Sequence, residues 1–154
     1  MSATSPNNAR IESGFPVQFE RWRFWRRWFG QRSERVAAKF LQRQGYLILA
    51  RNIADTLGEI DLLLLTQDRQ SLVVCEVRST SSSDPQKAAD SVNFVKQKKL
   101  SEATSRFLKR HRLLGSVTVR FDILAIAWPD GQPRPEILHL QDAFESTGRF
   151  QLFS

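Results

Sequence analysis

The amino-acid sequence predicts an α/β sandwich built around a mixed five-stranded sheet. Apolar runs of strand length, bounded by polar turns, alternate with segments whose apolar residues recur every three or four positions. Their order along the chain is helix, three strands, helix, two strands. That order places helices over a sheet containing both parallel and antiparallel neighbours. At 154 residues the chain can bury one sizeable core, and two full domains are not expected.

Each element has a local reason. Residues 1–14 are polar and are expected to be partly disordered. Within 19–29, helical spacing would put Trp22, Trp25 and Phe29 on one side with Arg23, Arg26 and Arg27 on the flanks. Such a segment can dock on its own domain, lie on an anionic membrane or a partner protein, or stack on nucleic acid. Residues 1–30 are therefore read as a basic, Trp/Arg-rich N-terminal extension, and 31–154 as the folded domain.

Ser33 can cap a first helix carrying Val36, Ala37, Phe40 and Leu41, which Gly45 ends. Residues 46–51 read as a short strand, "EIDLLLLTQ" as a second and "SLVVCEVRST" as a third, the last two joined by a short polar turn as a hairpin. Asp84 and Pro85 begin a helix running to about residue 111, with Val92, Val95, Leu100, Ala103, Phe107 and Leu108 as its apolar set. "SVTVRFDILAIAW" is a fourth strand and "EILHL" a fifth, and 142–145 are expected to make a final turn of helix.

The formal charge of +7 and pI near 10.3 favour anionic partners, nucleic acid first and acidic lipid second. Cys75 is the single cysteine, which rules out an internal disulfide and fits a reducing compartment. Arginines interrupt every candidate leader, and no apolar run has the length of a membrane span, so a cytoplasmic protein is expected. Neither a glycine-rich phosphate loop nor a nucleophile elbow is present, and His111 and His139 are too isolated to suggest zinc.

The third strand raises the chemical question. Alternation puts Leu72, Val74, Glu76 and Arg78 on one face and Val73, Cys75 and Val77 on the other, so one apolar face turns charged at its end. An ordinary surface ion pair between Glu76 and Arg78 is one reading. The neighbouring strand, however, carries Glu59 and Asp61, and a hairpin would bring Asp61 opposite Glu76. Two carboxylates so close repel unless one is protonated or a hard divalent cation such as Mg²⁺ or Mn²⁺ lies between them. The competing reading pairs Asp61 with Arg78 and leaves no metal.

"GEID" at 58–61, "CEVRS" at 75–79, "RFDIL" at 120–124 and "ILHLQDAF" at 137–144 together resemble the YraN-like family of uncharacterised bacterial proteins. "SERVAAKFLQRQGYLILARN" and "SVNFVKQKKLSEATSRFL" fit the same family, so the resemblance covers about residues 32–144. That family looks like a branch of the restriction-endonuclease-like PD-(D/E)XK superfamily, close in pattern to Holliday-junction resolvases. The resemblance implies a restriction-endonuclease-like three-layer sandwich. It also implies a metal-dependent endonuclease acting on DNA, with branched or recombination intermediates among its substrates and a homodimer as its working form. It makes Asp61 and Glu76 the metal pair, places Arg78 where the motif has lysine, adds Glu34 as a further catalytic acid, and brings Lys96, Lys98 and Lys99 towards the phosphates. Arginine stays charged where a lysine can lose its proton, so a nucleic-acid-binding protein of the same fold without turnover is the alternative. A membrane- or partner-anchored adaptor acting through residues 1–30 is the second.

Overall fold

The computed structural model describes residues 32–146, which form helix α1 (Arg32–Arg43), strands β1 (Leu47–Ala54), β2 (Glu59–Leu65) and β3 (Ser71–Thr80), helices α2 (Pro85–Asp90) and α3 (Phe94–Arg110), and strands β4 (Thr118–Ala127) and β5 (Glu136–Phe144). The strands lie side by side in chain order in one five-stranded sheet. Neighbours are antiparallel except β3 and β4, which run parallel. A parallel step needs a long crossover, and α2 with α3 supplies it.

Three layers result. On one face α1 packs Ala37 and Leu41 against Leu62, Leu64, Val73, Cys75, Leu124 and Ile126. On the other, α3 sets Leu100, Ala103, Phe107 and Leu108 against Leu63, Leu65, Leu72 and Val74. The small residues Ala88 and Ala89 let α2 sit closely over Ile123 and Ala125. The expected alternation of β3 holds: Leu72 and Val74 join the α3 core, while Val73 and Cys75 join the α1 core. This is a mixed α/β sandwich of restriction-endonuclease-like form, as expected.

Four local expectations are corrected. The helix expected from 85 to about 111 is two helices, because Val92 turns inward at 4% exposure and the Asn93 side chain caps a new start by accepting from the Lys96 N–H at 3.1 Å. The restart changes the helical phase, so Val95, expected in the buried set, is 61% exposed. Residues 142–145 are not a helical turn: β5 continues to Phe144, whose ring stacks on Phe121 with centroids 4.9 Å apart. Ser33, expected as a cap, lies inside α1, and its Oγ accepts from Trp128 Nε1 at 2.9 Å.

The expected basic extension, including Trp22, Trp25, Phe29 and their arginines, lies outside the described residues. Among the described residues no helix is long and apolar enough to cross a membrane.

Candidate metal centre

The β2–β3 ladder runs from Leu65↔Leu72 to Leu62↔Cys75 and stops, one step short of pairing Asp61 with Glu76. Beyond that point β3 continues against β4 as far as Thr80↔Ala127. The sheet therefore forks between two carboxylate-bearing residues. At the fork, Val77 N–H donates to Asp61 Oδ2 at 2.9 Å, so a side-chain oxygen takes the place of a strand carbonyl.

Glu76 is only 2% exposed. Its Oε1 lies 3.1 Å from Lys96 Nζ and 3.3 Å from Arg78 Nε. The arginine contact is an ion pair without a directed hydrogen bond, since Arg78 Nε has no hydrogen-bond partner. The carboxylate's second oxygen, Oε2, is buried and also lacks one. A surface pair of Glu76 with Arg78 is thus replaced by a buried acid flanked by two cations, and the arginine's partner is Glu76 rather than Asp61.

The lysine reaches inward for a sequence reason. Leu100 is buried on α3's inner side, and Lys96 stands one helical turn before it. Lys98 and Lys99 fall on the exposed side of the same turns.

Asp61 is half-buried, and its carboxyl is pushed up to about 7, first by burial and then by the charge of Glu76. Glu34, in the first turn of α1, is raised by burial and, more weakly, by the charges of Asp61 and Glu59. The hydrogen bond from Asn52 Nδ2 to Glu34 Oε2, 3.2 Å long, works in the opposite direction. Asn52 was not anticipated. Its φ of 49° puts it in the left-handed region, which Asn tolerates better than most residues. Sequence offers only that weak signal, since Asn52 and Glu34 are 18 positions apart.

A hard divalent cation fits Asp61 and Glu76. Glu76 Oε2 is buried with no fixed donor on it, a protonated Asp61 shares a side-chain hydrogen bond with Glu76, and the repulsion of the pair once both are ionised is what a cation would relieve. No group of three His, Cys, Asp or Glu side chains is assembled among the described residues. Two carboxylates with remaining positions left to water and phosphate oxygens suit Mg²⁺ or Mn²⁺ better than a cation that needs an all-protein cage.

A second polar cluster lies elsewhere. Asp122, fully buried, accepts from Arg120 Nε and Nη2 at 2.8 Å each and from Asp142 N–H at 3.0 Å, and its Oδ2 lies 2.8 Å from His139 Nε2. Arg120 Nη2 also donates to the Tyr46 hydroxyl at 2.8 Å. Burial pushes the Asp122 carboxyl up, but its hydrogen bonds outweigh that and leave it below the usual range. With its donors already committed, this cluster ties β4 to β5 and the start of β1. His111 instead tilts against Phe107, ring centroids 4.4 Å apart, and the two histidines contribute to no metal cluster.

Among known proteins, the family described as uncharacterised protein family UPF0102 matches residues 33–126. A UPF0102 protein of Rhodopirellula baltica is 40% identical over 120 residues, covering 77% of this chain and 71% of that one. A UPF0102 protein of Pelobacter propionicus is 40% identical over 119 residues, 75% of this chain and 81% of the relative. One from Pseudomonas syringae is 36% identical over 117 residues, 76% and 93% of the two chains.

Proposed function

This chain belongs to the uncharacterised protein family UPF0102, and from that premise and the forked strand pair we propose that it is a divalent-metal-dependent nuclease acting on DNA. The observation that carries the reading is the buried, partnerless Oε2 of Glu76 beside an Asp61 whose carboxyl is raised to about 7. Asp61 and Glu76 would hold Mg²⁺ or Mn²⁺, and the bound ion would supply Lewis-acid polarisation of a phosphate oxygen and acidification of water.

The protein's own groups do the rest. Arg78 serves as a fixed counter-charge to a phosphate oxygen. Lys96, 3.1 Å from Glu76, brings three rotatable donors and takes the orienting part that the motif lysine would otherwise play. Glu34, held by Asn52, lies within electrostatic reach of Asp61 and is assigned to positioning water. Lys98 and Lys99 contribute positive charge along the approach of the strand.

Calorimetric titration of Mn²⁺ and Mg²⁺ into the full chain tests the reading, with Asp61→Asn and Glu76→Gln as controls and cleavage of labelled DNA followed in parallel. Saturable binding lost in both variants, together with cleavage lost in both, is expected. Cleavage that survives Asp61→Asn would assign the activity elsewhere.

One observation favours a second reading, a DNA-binding protein without turnover: Glu76 Oε1 already has two cations beside it. That arrangement can neutralise the acid without a metal. It predicts salt-dependent DNA binding that is insensitive to Asp61→Asn.

A further inference from the structure

Four large apolar side chains among the described residues are exposed: Leu57, Phe94, Val95 and Leu114. Two of them adjoin. Phe94 is 64% exposed and Val95 61%, and they open α3 immediately before Lys96, whose Nζ reaches Glu76 at 3.1 Å. A patch of ring and β-branched side chain thus stands at the start of the helix that sends Lys96 to the candidate metal centre, and it is not used by the fold.

Its surroundings define what it suits. Helical neighbours lie three and four positions apart, so Phe94 adjoins Lys98, and Val95 adjoins Lys98 and Lys99. All four side chains are on the exposed side of a helix whose start is fixed by the Asn93 cap. A flat apolar ring with ammonium groups one turn away is complementary to a nucleobase whose own backbone phosphates run alongside. An acidic peptide would engage the lysines and cover the ring only where it also carried an apolar side chain at the matching position.

We propose that Phe94, supported by Val95, is a stacking site for an unpaired nucleobase, and that the preferred substrate therefore presents single-stranded DNA at the centre formed by Asp61 and Glu76. The assignment deepens the nuclease reading and rests on it for the word substrate. A base inside a duplex has both faces covered by its neighbours. It can meet the ring only after unstacking, whereas a single strand offers its bases freely. Phe94 and Lys96 belong to the same first turn of α3 but, two positions apart, point to different sides of it, so a strand stacked on Phe94 would reach Glu76 by passing around the start of the helix.

The test uses the full-length protein with a fluorescent oligothymidylate and a duplex of equal length at fixed ionic strength, with binding measured without Mg²⁺ or Mn²⁺ and cleavage measured with each. Phe94→Ala is expected to weaken single-strand binding roughly tenfold or more, the equivalent of about 1.4 kcal/mol, and to leave duplex binding unchanged. Phe94→Trp is expected to retain binding, and because the side chain is exposed both variants should melt as the parent does. Equal losses on both DNAs, no loss on either, or no single-strand binding by the parent overturns the proposal. So does a Phe94-dependent association with anionic vesicles or with a second copy that oligothymidylate does not displace. The two readings separate cleanly. Phe94-dependent binding without cleavage in either metal removes the nuclease and keeps the stacking site, and cleavage with a strand preference indifferent to Phe94→Ala does the reverse.

Discussion

Asp61 is where charge, fold and function meet in one side chain. Its folded pKa of about 7 stands above the ordinary carboxylate value of 3.8, so the folded protein keeps a proton that the unfolded chain releases between those values. This contribution to stability is fully present below about pH 3.8 and is lost as the pH rises through about 7. In metal-free thermal melts Asp61→Asn, which mimics the protonated acid, should gain stability relative to the parent between pH 5 and 8. A constant difference across that range would show that the carboxyl of Asp61 is not raised in the folded protein. Mn²⁺ competes with the same proton, so its affinity should rise with pH through about 7, with proton release measurable in buffers of different ionisation enthalpy. At Glu76 the balance is cationic. Lys96→Ala removes one of its two counter-charges and should destabilise the fold by about 1–3 kcal/mol, less than the loss of a sole partner because Arg78 remains, as read by urea melts.

Elements hold these residues through contacts that span large separations in sequence. The turn between β1 and β2 is clamped to α3 by Asp55, which accepts from Leu57 N–H, Gly58 N–H and Arg106 Nε and Nη2. Gly58 makes that clamp close: a Cβ there would lie 3.3 Å from the Cβ of Ala103 and 3.4 Å from Arg106 Nη2. Asp55→Ala should cost about 1–3 kcal/mol and, by loosening the end of β2 that carries Asp61, also weaken Mn²⁺ binding. Unchanged metal affinity in a destabilised variant would confine Asp55 to the fold. On the far side of the sheet, Asp122→Ala would leave the half-buried Arg120 without its carboxylate and should cost about 3–5 kcal/mol with little effect on the metal centre. Urea melts and calorimetry separate the two outcomes.

At the scale of the whole molecule, the sheet was legible and the connections less so. Five strands, their order along the chain and the faces of β3 follow from alternation and turn residues, which act over a few positions, whereas the parallel placing of β4 beside β3 does not. That Asp61 and Glu76 end up close at the end of the hairpin was legible because a hairpin register is local, but that the ladder stops one step before pairing them was not. Lys96 was placed near phosphates by resemblance, but its contact with Glu76 depends on a helix phase that the break at 91–93 resets. Glu34 with Asn52 and Arg120 with Tyr46 are 18 and 74 positions apart, and only the assembled layers bring them together. Ligand linkage acts on the same global scale. At pH 8 the melting temperature should climb with Mn²⁺ concentration, by the equivalent of about 2.7 kcal/mol at one hundred times the dissociation constant, and should stay flat in Asp61→Asn.

The fork in the sheet also gives the protein a built-in spectroscopic probe. Amides in a ladder ordinarily bond to carbonyls, whose electronics hardly change with pH or ligand. Val77 N–H bonds to Asp61 Oδ2 instead, at 2.9 Å, so its proton resonance and its hydrogen-exchange rate are coupled to the charge on that one carboxylate. A nitrogen–proton correlation spectrum should therefore show Val77 tracing the titration of Asp61 and shifting when the carboxylate is claimed by a cation. Neighbouring amides within the intact β2–β3 ladder, such as those of Val73 and Cys75, should remain still. A single backbone signal thus reads the state of the site without substrate or turnover.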